Sequence, residues 1–145
     1  MHRIPAFALL AVLTLPALAH GAPGSRARAS AHAADEALHR RMLGAWEIVW
    51  PSVAPQREIK LITPTHFSWT TFDPATHHVS ATGGGAHTLL DGVYCEQVDF
   101  ALGGIESAAG QVLCFRVEIH GDSLVQSRAP GADGMSIREV WRRLR

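Results

Sequence analysis

The chain has no surplus of charge and no basic run: 13 Lys and Arg balance 13 Asp and Glu over 145 residues. That balance argues against nucleic acid and anionic membrane surfaces as partners. There is also no apolar run of the roughly 20 residues a bilayer span requires, so the stretch from Ala6 to Leu15 does not read as a membrane anchor. Nine histidines are present without metal-ligand spacing. His77 and His78 are adjacent, which on a strand sends them to opposite faces, and His32 and His39 fall on or beside a solvated helix. No metal and no other cofactor is expected. No serine sits in a nucleophile elbow or an organised triad. Gly83-Gly84-Gly85 lacks the strand-to-helix setting of a phosphate loop and reads as a bend or a break in a strand. No catalytic residue is assigned.

What is present starts with a leader. Met1-His2-Arg3 is a short basic start, Ala6 to Leu15 is apolar, and Pro16-Ala17-Leu18-Ala19 ends in a small-x-small pattern. Residues 1–19 therefore read as a secretory signal peptide cut after Ala19, with the product secreted or periplasmic and not inserted in a membrane. No cysteine follows the cut, which speaks against a lipid anchor, and loss of Arg3 leaves the remainder one charge negative. Residues 20–30, rich in Gly, Pro, Ser, Ala and Arg, read as a flexible leader. From Ser30 to Met42 a weak apolar stripe (Ala33, Ala34, Ala37, Leu38, continued by Leu43) predicts a short helix. Asp35-Glu36 early and His39-Arg40-Arg41 late would suit its dipole. Residues 31–145 form one domain, and its oligomeric state is left open.

After Gly44 the pattern is strand and turn. Trp46, Ile48 and Trp50 alternate on one face, as do Leu113, Phe115, Val117 and Ile119, and then Ile137, Glu139, Trp141 and Arg143. Asp91-Gly92 signals a two-residue hairpin, which sets Leu90 against Val93, Leu89 against Tyr94 and His87 against Glu96. Reading His120-Gly121 the same way sets Val117 against Leu124, Phe115 against Gln126 and Leu113 against Arg128. A last hairpin centred on Ala132-Asp133 sets Gln126 against Glu139 and Leu124 against Trp141. Between Val93–Phe100 and Gln111–Ile119 the two cysteines arbitrate the register. With Cys95 opposite Cys114, Tyr94 meets Phe115, Glu96 meets Leu113, and both cysteines point outward at bridging distance. A Cys95–Cys114 disulfide is the expectation for a secreted chain. For His66 to Phe72 either face qualifies as the inner one.

These pairings carry His87, Leu89, Tyr94, Glu96, Leu113, Phe115, Gln126 and Glu139 onto one inner wall, with Arg128 and Ile137 beside them. Buried carboxylates need partners, so Glu96 is expected to hold His87 or Tyr94, and Glu139 to hold Gln126, Arg128 or Arg143. Either these groups form an internal network that orders the core, or they bind the polar end of a small lipophilic ligand in a cavity. Two other readings are a protein-interaction scaffold, such as a protease inhibitor, and a small barrel enzyme using Glu96 and His87.

Leu43-Gly44-Ala45-Trp46, Ile62 to Trp69, Gly83-Gly84-Gly85, Tyr94-x-Glu96, Gly121-Asp122 and Val140-Trp141-Arg142-Arg143 occur in this order. In that arrangement the chain resembles the small lipocalin-like proteins secreted by bacteria, within the calycin group. His87 stands where that pattern often has tyrosine, and Leu124 where it often has tryptophan. The resemblance implies an all-β fold: one antiparallel up-and-down β-barrel of about eight strands with a short N-terminal helix as a lid, binding a ligand inside. It also implies structural roles for Gly44, Trp46, Trp141 and Arg143, with the Arg143 guanidinium lying over the Trp46 indole where the last strand meets the first.

Overall fold

The computed structural model describes residues 23–50, 55–130 and 136–145. The expected signal peptide, residues 1–19, and the centre of the last hairpin, Ala132-Asp133, lie outside the described residues. A helix, α1 (Pro23–Met42), leads into eight strands: β1 (Gly44–Ile48), β2 (Arg57–Ile62), β3 (His66–Phe72), β4 (Val79–Leu90), β5 (Val93–Leu102), β6 (Val112–His120), β7 (Ser123–Arg128) and β8 (Ile137–Arg143). The strands pair antiparallel in chain order and β8 returns to β1, closing an up-and-down barrel. This is the expected architecture.

Helix α1 starts at Pro23 rather than Ser30, so most of the expected flexible leader is helical. Proline suits the first turn, where its missing N–H bonds nothing, and the Arg/Ala-rich stretch that follows has high helix propensity. The longer helix leaves no acid in its first turn and moves Asp35 to mid-helix. There its carboxylate does other work: Asp35 Oδ2 and Oδ1 accept the backbone N–H groups of Asp91 and Gly92 at 2.7 and 2.8 Å. The helix is thereby tied to the β4–β5 turn, where Asp91 and Gly92 both have positive φ, 51° and 73°, as the predicted two-residue turn requires.

The expected closure is present. Trp46 pairs with Arg143 across β1 and β8, and the guanidinium carbon lies 4.1 Å from the ring centroid of the fully buried indole. The same pair finishes the helix. Arg143 Nη1 and Nη2 donate to the carbonyls of Leu43 and Arg41, and Trp46 Nε1 donates to the Met42 carbonyl at 2.7 Å. A helix C-terminus leaves such carbonyls without intrahelical partners, so one contact closes the barrel and caps its lid. Gly44, at φ 128°, lies where an added Cβ would meet Arg143 Nη1 at 3.0 Å. Trp50, expected on the Trp46 face, lies beyond the end of β1 and is exposed.

Register follows the reading of the turns at three hairpins and departs from it at one. Leu89↔Tyr94 and His87↔Glu96, Cys95↔Cys114 and Tyr94↔Phe115, and Gln126↔Glu139 and Leu124↔Trp141 are all found. Cys95 and Cys114 are bridged, with Cα atoms 4.0 Å apart. Between β6 and β7 the turn is Gly121-Asp122, not His120-Gly121, so Ile119 meets Leu124 and Val117 meets Gln126. The expected pairs Val117 with Leu124, Phe115 with Gln126 and Leu113 with Arg128 are each displaced by two residues. Gly121, with φ 59°, takes the first central position of the turn, where a two-residue hairpin turn of this kind places glycine. An even shift keeps every side chain on its expected face.

Of the two readings of the triple glycine, the break is not found and an irregularity that bends the strand is. The glycines lie within β4, beside a bulge at Gly84/Gly85 that leaves Asp99 of β5 as the extra residue. A Cβ on Gly83 would strike the Trp69 ring at 2.7 Å, so the absent side chain makes room for an inward tryptophan. His77 and His78 fall in the turn before β4 rather than on a strand, and His77 has φ 60°.

Candidate functional site

The pairing of β2 with β3 decides the face the sequence left open. Phe67, Trp69 and Thr71 stand opposite Ile62, Lys60 and Glu58, and all six point inward. The interior then divides in two. Toward α1, Met42, Trp46, Ile62, Tyr94, Phe115, Val117, Ile119, Leu124 and Trp141 form one packed cluster. Toward the other end, Phe67, Val98 and Ala101 pack with Trp69, Ile105, Ala108 and Leu113, and a cavity of about 320 Å³ lies between that cluster and the barrel centre. Trp69, Leu113, Phe115, Ile137 and Trp141 give it an apolar wall. Glu58, Lys60, Glu96 and Glu139 give it charge.

Lys60 organises the floor. Its Nζ donates to Glu96 Oε1 and to Gln126 Oε1, both at 2.9 Å, lies 4.0 Å from Glu139 Oε2, and sits 4.6 Å from the centroid of the Trp141 ring. Both Lys60 and Glu96 are 3 % exposed. A buried ion pair recovers its desolvation cost only when further hydrogen bonds surround it, and Gln126 and the Trp141 ring supply that surrounding here. Glu139 accepts from Trp141 Nε1 at 3.1 Å, and Glu58 accepts from the Thr71 hydroxyl at 2.9 Å. Burial pushes the Glu58 pKa up, with the charges of Glu139 and Glu96 adding to it against the Thr71 hydrogen bond and Lys60.

Among the described residues, Gln126 Nε2 is a buried donor in this region with no hydrogen-bond partner, and the Tyr94 hydroxyl is buried beside the Glu96 carboxylate. The tyrosine still feels its neighbour: burial first, and the Glu96 carboxylate second, hold its pKa far above the phenol range.

Of the eight residues expected at the site, Glu96, Leu113, Phe115 and Glu139 line the cavity. Gln126 and Tyr94 are fully buried beside it. His87 and Leu89 are not there. They border a separate cleft under α1, with His32, Asp35, Glu36 and His39. The expected Glu96–His87 hydrogen bond is absent because Lys60 reaches the carboxylate from β2 and holds it. His87 Nε2 instead meets the Thr63 carbonyl at 2.9 Å. A carbonyl only accepts, so Nε2 carries the proton, and Nδ1 is left without a partner. Burial lowers the His87 pKa. His39, expected on a solvated helix, turns its ring toward His87, centroid to centroid 5.2 Å.

Glu139 holds none of its expected partners. Arg143 is committed to Trp46 and the helix end, and Arg128 borders a surface hollow with Phe115 and Ile137 rather than the cavity. The residue missed altogether is Lys60, the only lysine in the chain. In Arg57-Glu58-Ile59-Lys60-Leu61-Ile62 the charged and apolar positions alternate only from Glu58 to Leu61. That pattern reads as apolar Ile59 and Leu61 inward, whereas the barrel buries Lys60 and exposes Leu61.

The architecture and this interior define the class: a small closed up-and-down barrel with a charged cavity at the end away from its helix. In comparison with known proteins, the chain matches no family model and no curated protein. Among the described residues no helix is long and apolar enough to cross a membrane. The disulfide belongs to a non-cytoplasmic environment.

Proposed function

We propose that this is a lipocalin-like binding protein, secreted or periplasmic, that holds a small lipophilic molecule in the cavity between Trp69, Leu113, Phe115, Ile137 and Trp141. One observation carries the reading: beside the smaller cluster at the end away from the packed α1 side lies a hollow lined by both apolar side chains and charged ones. That is the usual make-up of a small-molecule site. A barrel serving only as an interaction scaffold has no use for the hollow. A barrel enzyme relying on Glu96 and His87 would need them together, and they stand in different pockets.

The test is native mass spectrometry of protein expressed with its leader and recovered from the periplasm, followed by lipid extraction. A mature chain beginning at His20 with a retained apolar adduct is the expected result. Titration with 1-octanol should change tryptophan fluorescence, since Trp69 and Trp141 line the cavity. Leu113→Trp, which fills the hollow, should abolish that response without unfolding the barrel. Neither adduct nor response would overturn the reading.

A further inference from the structure

The cavity carries three carboxylates, Glu58, Glu96 and Glu139, and one ammonium, Lys60. That ammonium is spent: its contacts to Glu96, Gln126, Glu139 and the Trp141 ring take up its surroundings, and its side chain is 4 % exposed. Among the described residues lining the cavity, an anionic head would meet no cation that is not already engaged, and two carboxylates, Glu58 and Glu139, would repel it. Of the other cations with inward strand parity, Arg143 is committed to Trp46 and the helix end, and Arg128 borders the neighbouring hollow and not this one. Glu106, near the short helical turn that contributes Ile105 and Ala108 to the cavity, spends its carboxylate on the N–H groups of Gly103 and Gly104.

A network built only to order a core leaves few buried donors unpaired. This one leaves Gln126 Nε2 unpaired, in a fully buried residue that meets Lys60 through its other amide atom. It also leaves Glu139, which lines the cavity, with a side chain 29 % exposed and one hydrogen bond, from Trp141. Separately from that donor, Glu139 and Glu58 keep acceptor capacity in a cavity they share with Trp69 and Trp141, and aromatic rings of this kind attract cations.

Building on the proposed binding function, we infer that the ligand is a cationic amphiphile: a primary or substituted amine whose ammonium sits between Glu139 and Glu58 while its apolar body lies along Trp69, Leu113, Phe115 and Ile137. Charge-assisted hydrogen bonds to carboxylates in a partly desolvated site are the strong ones. An amine is thereby selected over an alcohol of the same chain, and a fatty carboxylate is rejected.

The experiment is a matched series, octylamine, 1-octanol and octanoate, titrated at pH 7.5 against tryptophan fluorescence, with calorimetry as a second readout. Octylamine should bind at least about tenfold more tightly than octanol, and octanoate more weakly than either. In Glu139→Gln the ratio of amine to alcohol affinity should collapse toward unity. Glu58→Gln should lower the same ratio by a smaller factor. Octanol binding as tightly as octylamine, or octanoate binding best, would overturn the amine assignment and leave the lipophile-binding reading standing. Binding of none of the three would remove both.

Discussion

The two halves of this barrel are built on opposite solutions to the same problem. On the α1 side, Trp46, Trp141, Leu124 and Met42 fill the interior, and the charged group that enters, Arg143, lies over an indole and bonds the helix carbonyls. On the other side the interior is kept hollow, and its charged groups hold one another instead of closing the space. Packing is stabilising wherever it occurs. A hollow holding buried carboxylates is maintained at a cost in stability, and such a cost is characteristic of sites rather than of scaffolding.

The largest effects should come from breaking each half at its centre. Trp46→Ala removes a fully buried indole from the packed half and should cost about 3–5 kcal/mol in chemical denaturation. Lys60→Met leaves Glu96 buried and unpaired and should cost a similar ~3–5 kcal/mol. The halves differ in what rescues them. Adding Glu96→Gln to Lys60→Met removes the stranded charge and should recover much of the loss, whereas no polar change elsewhere rescues Trp46→Ala. A double mutant no more stable than Lys60→Met alone would mean that Glu96 is already held neutral or by other partners.

Next in size is the wall joining the two halves. Reduction of Cys95–Cys114, which closes a 19-residue separation on the outer face, should lower stability by about 2–4 kcal/mol and leave the barrel's circular dichroism intact. Loss of the fold on reduction would make the bridge a requirement for closure rather than a brace.

His87 offers a pH probe of the helix-covered side. Burial keeps its native pKa below the ordinary value of 6.5, so below pH 6.5 the unfolded chain takes up a proton that the native ring refuses. Stability from this group is present above pH 6.5 and falls as pH drops toward its native pKa. The melting temperature should decline over that window, and His87→Phe should flatten the decline. An unchanged slope would mean that another histidine carries it.

The smallest effect is expected in the hollow half. Burial raises the Glu58 pKa, so its stabilising contribution is present below the unfolded carboxylate pKa and is lost as pH rises through the native one. Glu58→Gln should therefore be within about 0.5 kcal/mol of neutral at pH 7, or slightly stabilising. A marked loss would show that the ionised form is needed for the fold.

Much of this was legible in the residues. Two-residue turns at Asp91-Gly92, alternation along β5, β6 and β8, and two cysteines that can meet in only one register that keeps the apolar face continuous placed Tyr94, Glu96, Phe115, Gln126 and Glu139 on the inner wall. Local chemistry specifies such features because hairpin register follows from turn geometry and side-chain direction follows from parity. Parity also survives a two-residue slip, which is why the misplaced β6–β7 turn did no damage to the faces. Closure decided the rest. Only when β2 lies between β1 and β3 does Lys60 reach Glu96, 36 residues away in sequence, so that His87, though opposite Glu96 on the neighbouring strand, borders the cleft under α1 instead. Strand pairing is a local relation that sequence can encode in a turn. Which charges share a cavity depends on strands brought round a circle, and that distance exists only in the folded molecule.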